Sequence, residues 1–543
     1  MPKPETSPRL VKIGLMIDQE LGFEQWEIDL FDRLIGNPAI SVEAVLVCRG
    51  ASRLAKPGFT LQSVLAIEAM IFGMAAGRVS RRASDVLGSV PHIPWNEADR
   101  LHPDLDLILS HVPGLPGAIR AELSSEVWEY SFNRGAQTMP EALGFRETKE
   151  QKPVTRMAIF GHLPCGTYRE VGSCEIGTKF SAVFTAMFAK SILPAFAERE
   201  LVHYRKHRLS PVAVTSPATQ DDARTASPPS LIELSIYVVQ LAGRVLRRTS
   251  AEVLRRFGAR PGSWSLLIGR GDALNSPLDQ LTELRQPDGQ FRADPFLFQK
   301  DGQTYVFFES CDYSDGRGKI CVGRIDGNRL VDITELDLGD GHLSYPFVFA
   351  EDGEIFMIPE TSHNRRVEVW RCTEFPARWT LHATGLEGRS PADTVMFKSS
   401  DQWWLLTNLC TGSVIEHCME LHAYRVDGPD LELIEPHPLN PVVLDTTSAR
   451  NAGRPFERDG RLIRPAQMNS HGTYGYGLRL MEVTELSMDA FSEREIRRIE
   501  PDASQATIGC HHLDINDDMF ILDARRAFGS RRWGARPIAL RAS

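Results

Sequence analysis

The sequence predicts two domains, an α/β domain built on a parallel sheet and an all-β, five-bladed propeller that follows it. One hairpin pattern occurs five times in the second half of the chain, at intervals of roughly 50 to 60 residues, which is typical of propeller blades. The first part of the chain instead alternates apolar strands with helical segments. A segment rich in Pro, Ser, Thr and Ala, 209–230, separates the two patterns. We therefore place the α/β domain at 1–208, a linker and helix at 209–262, and the propeller at 263–543.

Each hairpin repeat consists of a polar residue, an apolar strand, a turn and a second apolar strand. Asp294 opens the first copy, Asp301-Gly302 forms its turn, and Glu309 ends its second strand. The Asp-Gly pair is a strong signal for a two-residue hairpin turn. A further strand follows most of the hairpins, so each repeat supplies the three or four strands of one blade. The other four copies open with Ser344-Tyr345-Pro346-Phe347, Ala392-Asp393, Gly453-Arg454-Pro455-Phe456 and His511-His512.

The polar residue that opens each repeat is predicted to lie on the innermost strand of its blade. Propellers bring the inner strands of all blades around one axis, so residues far apart in sequence meet there. We expect Asp294, Asp393, Arg454 and His512 to share one funnel. The strand 263–269, which precedes the first repeat, is predicted to close the ring by pairing with the last blade near 536–540.

The first domain begins with a strand, a helix and a second strand, at 11–17, 24–34 and 41–47. This βαβ unit implies a parallel sheet, to which 105–110 adds a buried strand. No Gly-x-Gly-x-x-Gly follows the first strand, so the dinucleotide fingerprint is absent and we predict no cofactor. The helix predicted at 231–248 has a basic end, and packing between the domains is favoured over contact with a membrane surface.

The composition is that of a soluble globular protein, with 42% hydrophobic and 24% charged residues. The net charge of −10 gives no reason to expect nucleic acid as a partner. Nine scattered cysteines without a Cys-x-x-Cys pair favour a reduced compartment. The polar N-terminus has no apolar signal segment, and no apolar run is long enough to span a bilayer. We therefore expect a cytoplasmic protein without a transmembrane segment.

The second half resembles the propeller domain of plant glucosamine inositolphosphorylceramide transferases, which also occurs in many bacterial proteins. More distantly it resembles five-bladed glycosidases of the furanosidase type, which place acidic residues of the early blades around a central pocket. The resemblance implies carbohydrate chemistry. In the plant proteins the transferase activity is associated with a separate C-terminal domain, and we expect no counterpart of it here. The likeness spans about 263–540 and rests on Asp294-Pro295-Phe296, 344–347, 357–362, Ala392-Asp393, 453–456, 464–467 and His511-His512.

The first half resembles the Rossmann-type domain of formyltransferases, in the version that precedes this propeller in bacteria. The likeness is carried by 105–109, 144–147 and 153–155. That family uses an Asn-His-Asp set, and its His lies in a Trp-Ser-Phe-His-His-Gly segment. Here 130–135 reads YSFNRG, and 163–168, LPCGTY, lacks the Asp of the family's Leu-Asp-x-Gly turn. Without a general base, the resemblance implies a degenerate domain that does not transfer formyl groups.

Three carboxylates are the candidate catalytic residues. Glycoside cleavage needs one carboxylic acid that protonates the leaving oxygen and a second carboxylate that acts as base or nucleophile. We predict Asp294 as base or nucleophile and Glu360 as acid. Asp393 is predicted to orient the sugar or to tune the pKa of a neighbour. The structural alternatives are turn-capping aspartates and a surface glutamate.

The candidate binding residues are Tyr345, Arg454, Gln467, His511 and His512. The arginine and the glutamine are suited to sugar hydroxyls, carboxylates or phosphates, and Tyr345 to stacking on a sugar ring. A buried intrablade network or packing between blades is the structural alternative. Adjacent residues of a strand point to opposite faces, so only one histidine, His512, is expected to face inward. We predict no metal site.

Three functions are compatible with these residues. The leading one is a carbohydrate-active enzyme that cleaves or transfers a glycosyl unit of a carbohydrate or glycolipid in the propeller pocket. The first alternative is a non-catalytic protein that binds a glycan or a lipid headgroup. The second is a sugar N-formyltransferase whose active site is rebuilt from Asn133, Glu141 or His162.

Overall fold

The chain divides into two compact units, Met1–Arg247 with Thr411–Val414, and Arg248–Cys410 with Ile415–Ser543. The computed structural model describes residues 10–18, 23–48, 59–74, 83–112, 115–131, 143–204, 229–256, 263–276, 278, 281–287, 289–314, 316–412, 416–502, 507–516, 518–526 and 540–542. Two parts of the predicted linker and helix, 209–228 and 257–262, lie outside these residues, so its limits stay a prediction. Among the described residues, no helix has the length and apolar character needed to cross a bilayer.

The first unit is built on one seven-stranded mixed sheet with the order β3-β2-β1-β4-β5-β6-β7. Its strands are β1 Val11–Asp18, β2 Ile40–Cys48, β3 His92–Pro94, β4 Leu107–Ser110, β5 Glu126–Ser131, β6 Val154–His162 and β7 Tyr168–Gly177. The helices are α1 Gln25–Gly36, α2 Phe59–Ile71, α3 Ala83–Val86, α4 Ala98–Leu101, α5 Gly117–Glu122, α6 Phe145–Glu150, α7 Ala182–Val202 and α8 Leu231–Arg256, with a 3-10 turn at Trp95–Glu97.

The strands β1 to β5 run parallel, which confirms the parallel sheet predicted from the first βαβ unit. Strand β1 is buried almost throughout, as expected for a central parallel strand that is covered on both faces. The sequence did not reveal that β6 runs antiparallel to β5, and β7 antiparallel to β6. The likeness of this unit to formyltransferases stays a prediction.

The second unit consists of five antiparallel sheets, which are the blades of a five-bladed propeller. The first blade runs from β10 Gln290–Lys300 to β13 Arg329–Glu335. The second runs from β14 Ser344–Glu351 to β17 Arg378–Gly385. The third runs from β18 Ala392–Ser399 to β21 Ile434–Pro436 and also contains β22 Val443–Leu444. The fourth is β23 Phe456–Arg458, β24 Arg461–Ser470, β25 Thr473–Leu486, β26 Phe491–Pro501 and β30 Leu540–Ala542. The fifth is β27 Thr507–Gly509, β28 Leu513–Asn516, β29 Met519–Arg526, β8 Trp264–Arg270 and β9 Thr282–Glu283. The remaining strands are β11 Gln303–Asp312, β12 Gly318–Asp326, β15 Glu354–Glu360, β16 Val367–Glu374, β19 Gln402–Leu409 and β20 Glu420–Val426.

The ring is closed by β8, which comes from the N-terminal side of the propeller and joins the last blade. Closure by this strand is confirmed, but its described partner in the last blade is β29 and not the segment predicted near 536–540, of which 536–539 lie outside the described residues. Strand β8 pairs along its whole length with β29. Strand β30, which starts at Leu540, pairs instead with β26 in the fourth blade. The short β30 offers three residues, whereas β29 offers a long edge with buried Phe520 and Leu522.

The predicted hairpin turns are confirmed in the first, second and fourth blades. Asp301-Gly302, Asp352-Gly353 and Asp459-Gly460 all have positive φ, between 49° and 81°. Two consecutive residues with positive φ form the type I′ turn, whose twist matches that of the flanking strands. Apolar side chains from adjacent blades then pack against each other, as Phe296, Phe347 and Val395 do in the largest core of the propeller.

Candidate functional site

The first three blades share one backbone irregularity at the start of the innermost strand. In β10, β14 and β18 the pairing with the second strand shifts register at the same point of the repeat. The residues within the shift are Asp294, Tyr345 and Asp393, with φ values of 50°, 48° and 46°. A bulge of this kind re-aims the side chain, and left-handed backbone is costly for a tyrosine. The repeat thus builds one special position three times, at the same end of the inner strands.

A carboxylate or amide side chain lies in the last part of the strand that follows this position in each blade. Glu309, Glu360 and Asn408 each pair with the residue just before the bulge. In the fourth and fifth blades, Gln467 and Asp523 occupy the corresponding place. The backbone N–H of Gln467 donates to the carbonyl of Arg450, and that of Asp523 donates to the carbonyl of His512. Polar groups from all five blades therefore collect at one end of the inner strands.

Asp294 lies at the centre of this cluster. Its Oδ2 accepts a hydrogen bond from the backbone N–H of Tyr345 (3.3 Å), and its own N–H donates to Asp523 Oδ2 (3.2 Å). Its Oδ1 lies 3.7 Å from His511 Nε2 and 3.8 Å from His512 Nδ1. Burial raises the pKa of Asp294 to about 7, against the pull of His511 and with support from the charges of Asp393 and Asp523. This carboxyl group can therefore exchange a proton near neutral pH.

Asp393 is held by a bidentate ion pair with Arg450. The guanidinium Nε donates to Oδ2 at 2.6 Å and Nη2 donates to Oδ1 at 3.2 Å, while Gln467 Nε2 donates to Oδ2 at 3.3 Å. Glu360 joins the group, since its Oε2 accepts from the backbone N–H of Asp393 (3.2 Å) and lies 3.7 Å from Arg450 Nη2. Burial raises the pKa of Asp393 to about 7, although Arg450 opposes this shift. The predicted catalytic residues Glu360 and Asp393 thus lie together.

Glu309 is a fourth buried carboxyl group, which the sequence analysis noted as a strand end but did not assign to the site. Burial raises its pKa well above the usual range, and the nearby charges of Asp294 and Glu360 raise it further. Its Oε1 lies 3.4 Å from His342 Nε2. A side chain on Gly318 would collide with Glu309 Oε1, so only glycine leaves room for it. The shared position of Glu309 and Glu360 in the repeat was the signal that identifies it.

The two histidines do not face opposite sides, so that prediction is wrong. His511 Nε2 and His512 Nδ1 both lie within 4 Å of Asp294 Oδ1. The reason is that 511–512 lie in an irregular segment before β28 rather than in a regular strand, and both backbone N–H groups donate to Asp523 Oδ1 at 2.9 and 3.0 Å. The alternation of side chains holds only for regular strands.

His511 forms an ion pair with Asp523, whose Oδ2 lies 2.6 Å from its Nδ1. Its ring stacks on Trp264, with a centroid distance of 4.0 Å and an angle of 15°. Burial works against a charged ring, but Asp523 outweighs it and raises the pKa of His511. Asp294, His511 and Asp523 have ligand atoms within 4.8 Å of one another and are able to hold a cation. The prediction that no metal takes part stays a prediction.

His512 is buried as a neutral ring between Phe296 and Tyr345, at centroid distances of 4.5 and 5.2 Å. Its pKa is lowered from 6.5 to about 3, mainly by burial; the positive charges of His511 and Arg454 act in the same direction, and Asp523 opposes them. In an unfolded chain the same ring takes up a proton as the pH falls below 6.5. The free energy of unfolding that His512 contributes is thus complete above 6.5 and is lost as the pH falls toward 3.

We expect the His512→Gln variant to lose less stability than the wild type between pH 7.5 and pH 5. The difference is roughly 2 kcal/mol, since each unit below the unfolded pKa costs about 1.4 kcal/mol. Thermal unfolding of both proteins at the two pH values measures it. Phe296→Leu, a change in a packing neighbour that does not titrate, should lower Tm equally at both values. Equal pH dependence of wild type and His512→Gln would contradict a neutral buried His512.

Two of the predicted binding residues have structural partners. Tyr345 is fully buried, and its hydroxyl accepts from the backbone N–H of Gly453 (2.9 Å) and donates to its carbonyl (3.3 Å). Arg454 pairs with Asp514 instead of the carboxylate cluster, at 3.1 Å, and its guanidinium lies 5.1 Å from the centroid of the Phe347 ring. Their roles in substrate binding stay predictions. Gln467, by contrast, contacts Asp393 directly.

Tyr474 and Arg450 are site residues that the sequence analysis missed. The Arg450 guanidinium lies 5.2 Å from the centroid of the Tyr474 ring, and Tyr474 meets His511 edge-on at 5.5 Å. Tyr474 is 44% exposed, so it gives the buried cluster an aromatic surface that solvent can reach. Neither residue lies in an inner hairpin strand, and the repeat pattern therefore gave no signal for them.

The residues proposed for a rebuilt formyltransferase site are only partly described. Asn133 and Glu141 lie outside the described residues. His162 ends β6, and its Nε2 lies 3.2 Å from Glu129 Oε2. A second histidine of this unit, His111, is buried beside Phe31 (4.9 Å between centroids), and burial lowers its pKa to about 3.

The fold and the site define the class of protein: it is a closed five-bladed propeller with a carboxylate cluster at one end of its inner strands. Residues 280–517 match the family model described as "Glucosamine inositolphosphorylceramide transferase 1, N-terminal". A curated relative of that name from Oryza sativa subsp. japonica is 33% identical over 207 residues, which are 37% of this chain and 27% of the relative. The relative from Arabidopsis thaliana is 29% identical over 262 residues, 43% of this chain and 34% of that protein. The chain thus spans about a third or less of these relatives.

Solved structures with a similar fold include glycosidases. The alpha-L-arabinofuranosidase from Lactobacillus brevis is 14% identical, with a TM-score of 0.34, over 46% of this chain and 90% of that one. The catalytic domain of the Coprinopsis cinerea GH62 alpha-L-arabinofuranosidase is also 14% identical, with a TM-score of 0.35, over 52% and 96% of the two chains.

Proposed function

We propose that the propeller is a carbohydrate-active domain that cleaves or transfers a glycosyl unit at the carboxylate cluster. The observation that carries this proposal is the grouping of Asp294, Glu360 and Asp393, where burial brings the pKa of both aspartates to about 7. Glycosyl chemistry needs this kind of mixture of protonated and ionised carboxyl groups at neutral pH. The match of residues 280–517 to the family model described as "Glucosamine inositolphosphorylceramide transferase 1, N-terminal" supports it.

The contacts of each carboxylate support its proposed role. Asp393 is fixed by two N–H groups of Arg450, which suits a group that orients the sugar rather than one that carries a proton. Asp294 has a pKa near neutrality and serves as base or nucleophile. Glu360, with 14% of its side chain exposed, protonates the leaving oxygen as the glycosidic bond breaks.

We propose a carbohydrate or glycolipid as the substrate class. Tyr474 offers an exposed ring beside the cluster, and aromatic faces of this kind stack on sugar rings. The relatives' name, which includes inositolphosphorylceramide, supports a glycolipid.

We further infer that the α/β unit is a degenerate, Rossmann-like relative of the formyltransferases. The strand order reverses at β1, with β2 and β3 on one side and β4 and β5 on the other, as in Rossmann-type sheets. The loss of the family's His and Asp motifs from the sequence supports a domain without formyl transfer.

Turnover is tested by incubating the purified chain with oligosaccharides, glycolipids and nucleotide sugars, followed by mass spectrometry. We expect a new glycosyl product that Glu360→Gln abolishes. Glu354→Gln, at the exposed start of the same strand, is the matched control and should leave product formation unchanged. Saturable glycan binding without any product would instead support the non-catalytic binding protein.

A further inference from the structure

Two helices, α2 and α8, expose apolar side chains. On α8, Ile232 is 72% and Val239 73% exposed, and on α2, Met70 is 74% and Ile71 72% exposed. A surface helix usually turns polar residues outward, and exposed apolar patches mark sites of interaction. We define the α2/α8 apolar face as the exposed residues Ile67, Met70, Ile71, Leu231, Ile232, Ile236, Val239 and Leu246.

The two helices are neighbours, so their exposed residues belong to one surface region. Leu61 of α2 and Leu234 of α8 pack into the same core cluster, together with Phe145. The hydroxyl of Tyr237 on α8 also donates to Glu68 Oε2 on α2 at 2.6 Å, in a buried contact.

The inward face of α8 fixes the helix without help from its outward residues. Tyr237 packs on Phe145 with 4.9 Å between ring centroids. Glu233 accepts from Lys149 Nζ at 2.7 Å, and Arg244 Nη1 donates to the carbonyl of Thr148 at 3.0 Å. Tyr237 and Arg244 lie on the other side of the helix from Ile232 and Val239, so these contacts do not account for the outward apolar residues.

The charge of α8 is the second observation. Its sequence, 231–256, contains five Arg and two Glu, a net charge of +3 in a chain whose net charge is −10. Arg247 and Arg248 are exposed and follow the outward residue Leu246 by one and two positions. A helix with exposed apolar residues and a cluster of arginines lies in the interface of anionic bilayers, where apolar side chains enter the acyl boundary and arginines meet phosphates.

We propose that the α2/α8 apolar face docks on the surface of an anionic lipid bilayer. A second copy of the chain is the other candidate occupant, and a parallel symmetric contact through α8 would bring the arginines of both copies together. With seven charged residues in 26, α8 lies on a bilayer rather than through it. Docking of this kind does not depend on turnover in the propeller.

The test is flotation of the full chain with lipid vesicles. We expect binding to vesicles of phosphatidylcholine mixed with phosphatidylinositol, and little binding to phosphatidylcholine alone. Arg247→Gln/Arg248→Gln should weaken binding roughly 30-fold, since each arginine near the surface contributes about 1 kcal/mol. Ile232→Ser/Val239→Ser should weaken it by about tenfold or more.

The matched control is Ile333→Ser/Leu381→Ser, which changes two apolar residues that are each 43% exposed on the propeller. This variant should bind vesicles like the wild type, and circular dichroism checks that all variants are folded. Equal vesicle binding by Ile232→Ser/Val239→Ser and the wild type would overturn the proposal. The absence of binding to anionic vesicles would also overturn it. A dimer in solution that Ile232→Ser/Val239→Ser dissociates would then identify a second copy of the chain as the occupant of the face.

Discussion

The Asp294→Asn variant is expected to lose glycosyl turnover by a factor of about 10² to 10⁴, the range that a positioned general base contributes. The amide cannot take up the proton that the carboxylate accepts. The change preserves the fold, because asparagine tolerates the left-handed backbone at φ 50° and its oxygen still accepts from the N–H of Tyr345. The rate of product formation measures the loss. Asp332→Asn is the matched control, since Asp332 has φ 52° in the same blade but forms an exposed ion pair with Arg324.

The pH dependence of turnover tests the role of Asp294 separately. Its pKa of about 7 means that the base is ionised above neutrality, so the rate should rise as the pH rises through 7. The stability contribution has the opposite sign. Because the folded pKa lies above the ordinary 3.8, that contribution is present at low pH and is lost as the pH rises through 7. The Tm of Asp294→Asn should therefore gain on that of the wild type as the pH rises from 3.8 to 7, and the gain should stay constant above pH 7. A rate that falls as the pH rises through 7 would indicate that Asp294 acts as the general acid.

Replacing Arg450 with methionine is expected to destabilise the propeller by about 3 to 5 kcal/mol, the usual effect of removing one partner of a buried ion pair. The guanidinium of Arg450 lies beside Asp393 and Glu360, and both carboxyl groups would remain buried without it. Chemical denaturation followed by tryptophan fluorescence measures the change.

Arg371→Met is the control for this experiment. Its ion pair with Glu354 is exposed and should contribute less than about 1 kcal/mol. The double variant Arg450→Met/Asp393→Asn should recover part of the loss, because it removes the charge that Arg450 neutralises. A change below about 1 kcal/mol for Arg450→Met would show that the two carboxyl groups take up protons instead.

The sequence predicted those parts of the site that belong to the hairpin repeat. Asp294 and Asp393 were found because equivalent positions of a repeat occupy equivalent places around the axis. Arg450 was missed because it precedes the fourth hairpin, in a segment without strand alternation. The partner of Tyr345 was also hidden, since its hydroxyl meets the backbone of a residue 108 positions away.

The fold was predicted to a similar degree. Apolar runs and turn signals are local, so the βαβ unit and the hairpins of the blades were found from the sequence. The direction of β6 and the partner of β8 depend on contacts between distant segments, which no local pattern contains. His511 illustrates the same limit on a smaller scale, because it lies outside the regular strands and approaches Asp294.

Closure of the ring by β8 also sets the order of events during synthesis. Asp294 is made early, yet Asp523, which binds its backbone N–H, follows 229 residues later. Strand β8 must wait just as long for β29. Contacts of such sequence separation form slowly, so a ribosome-bound chain that stops short of the fifth blade has four of the site's carboxylates but neither His511 nor Asp523. Only a fully translated propeller can assemble the charge balance of its own centre.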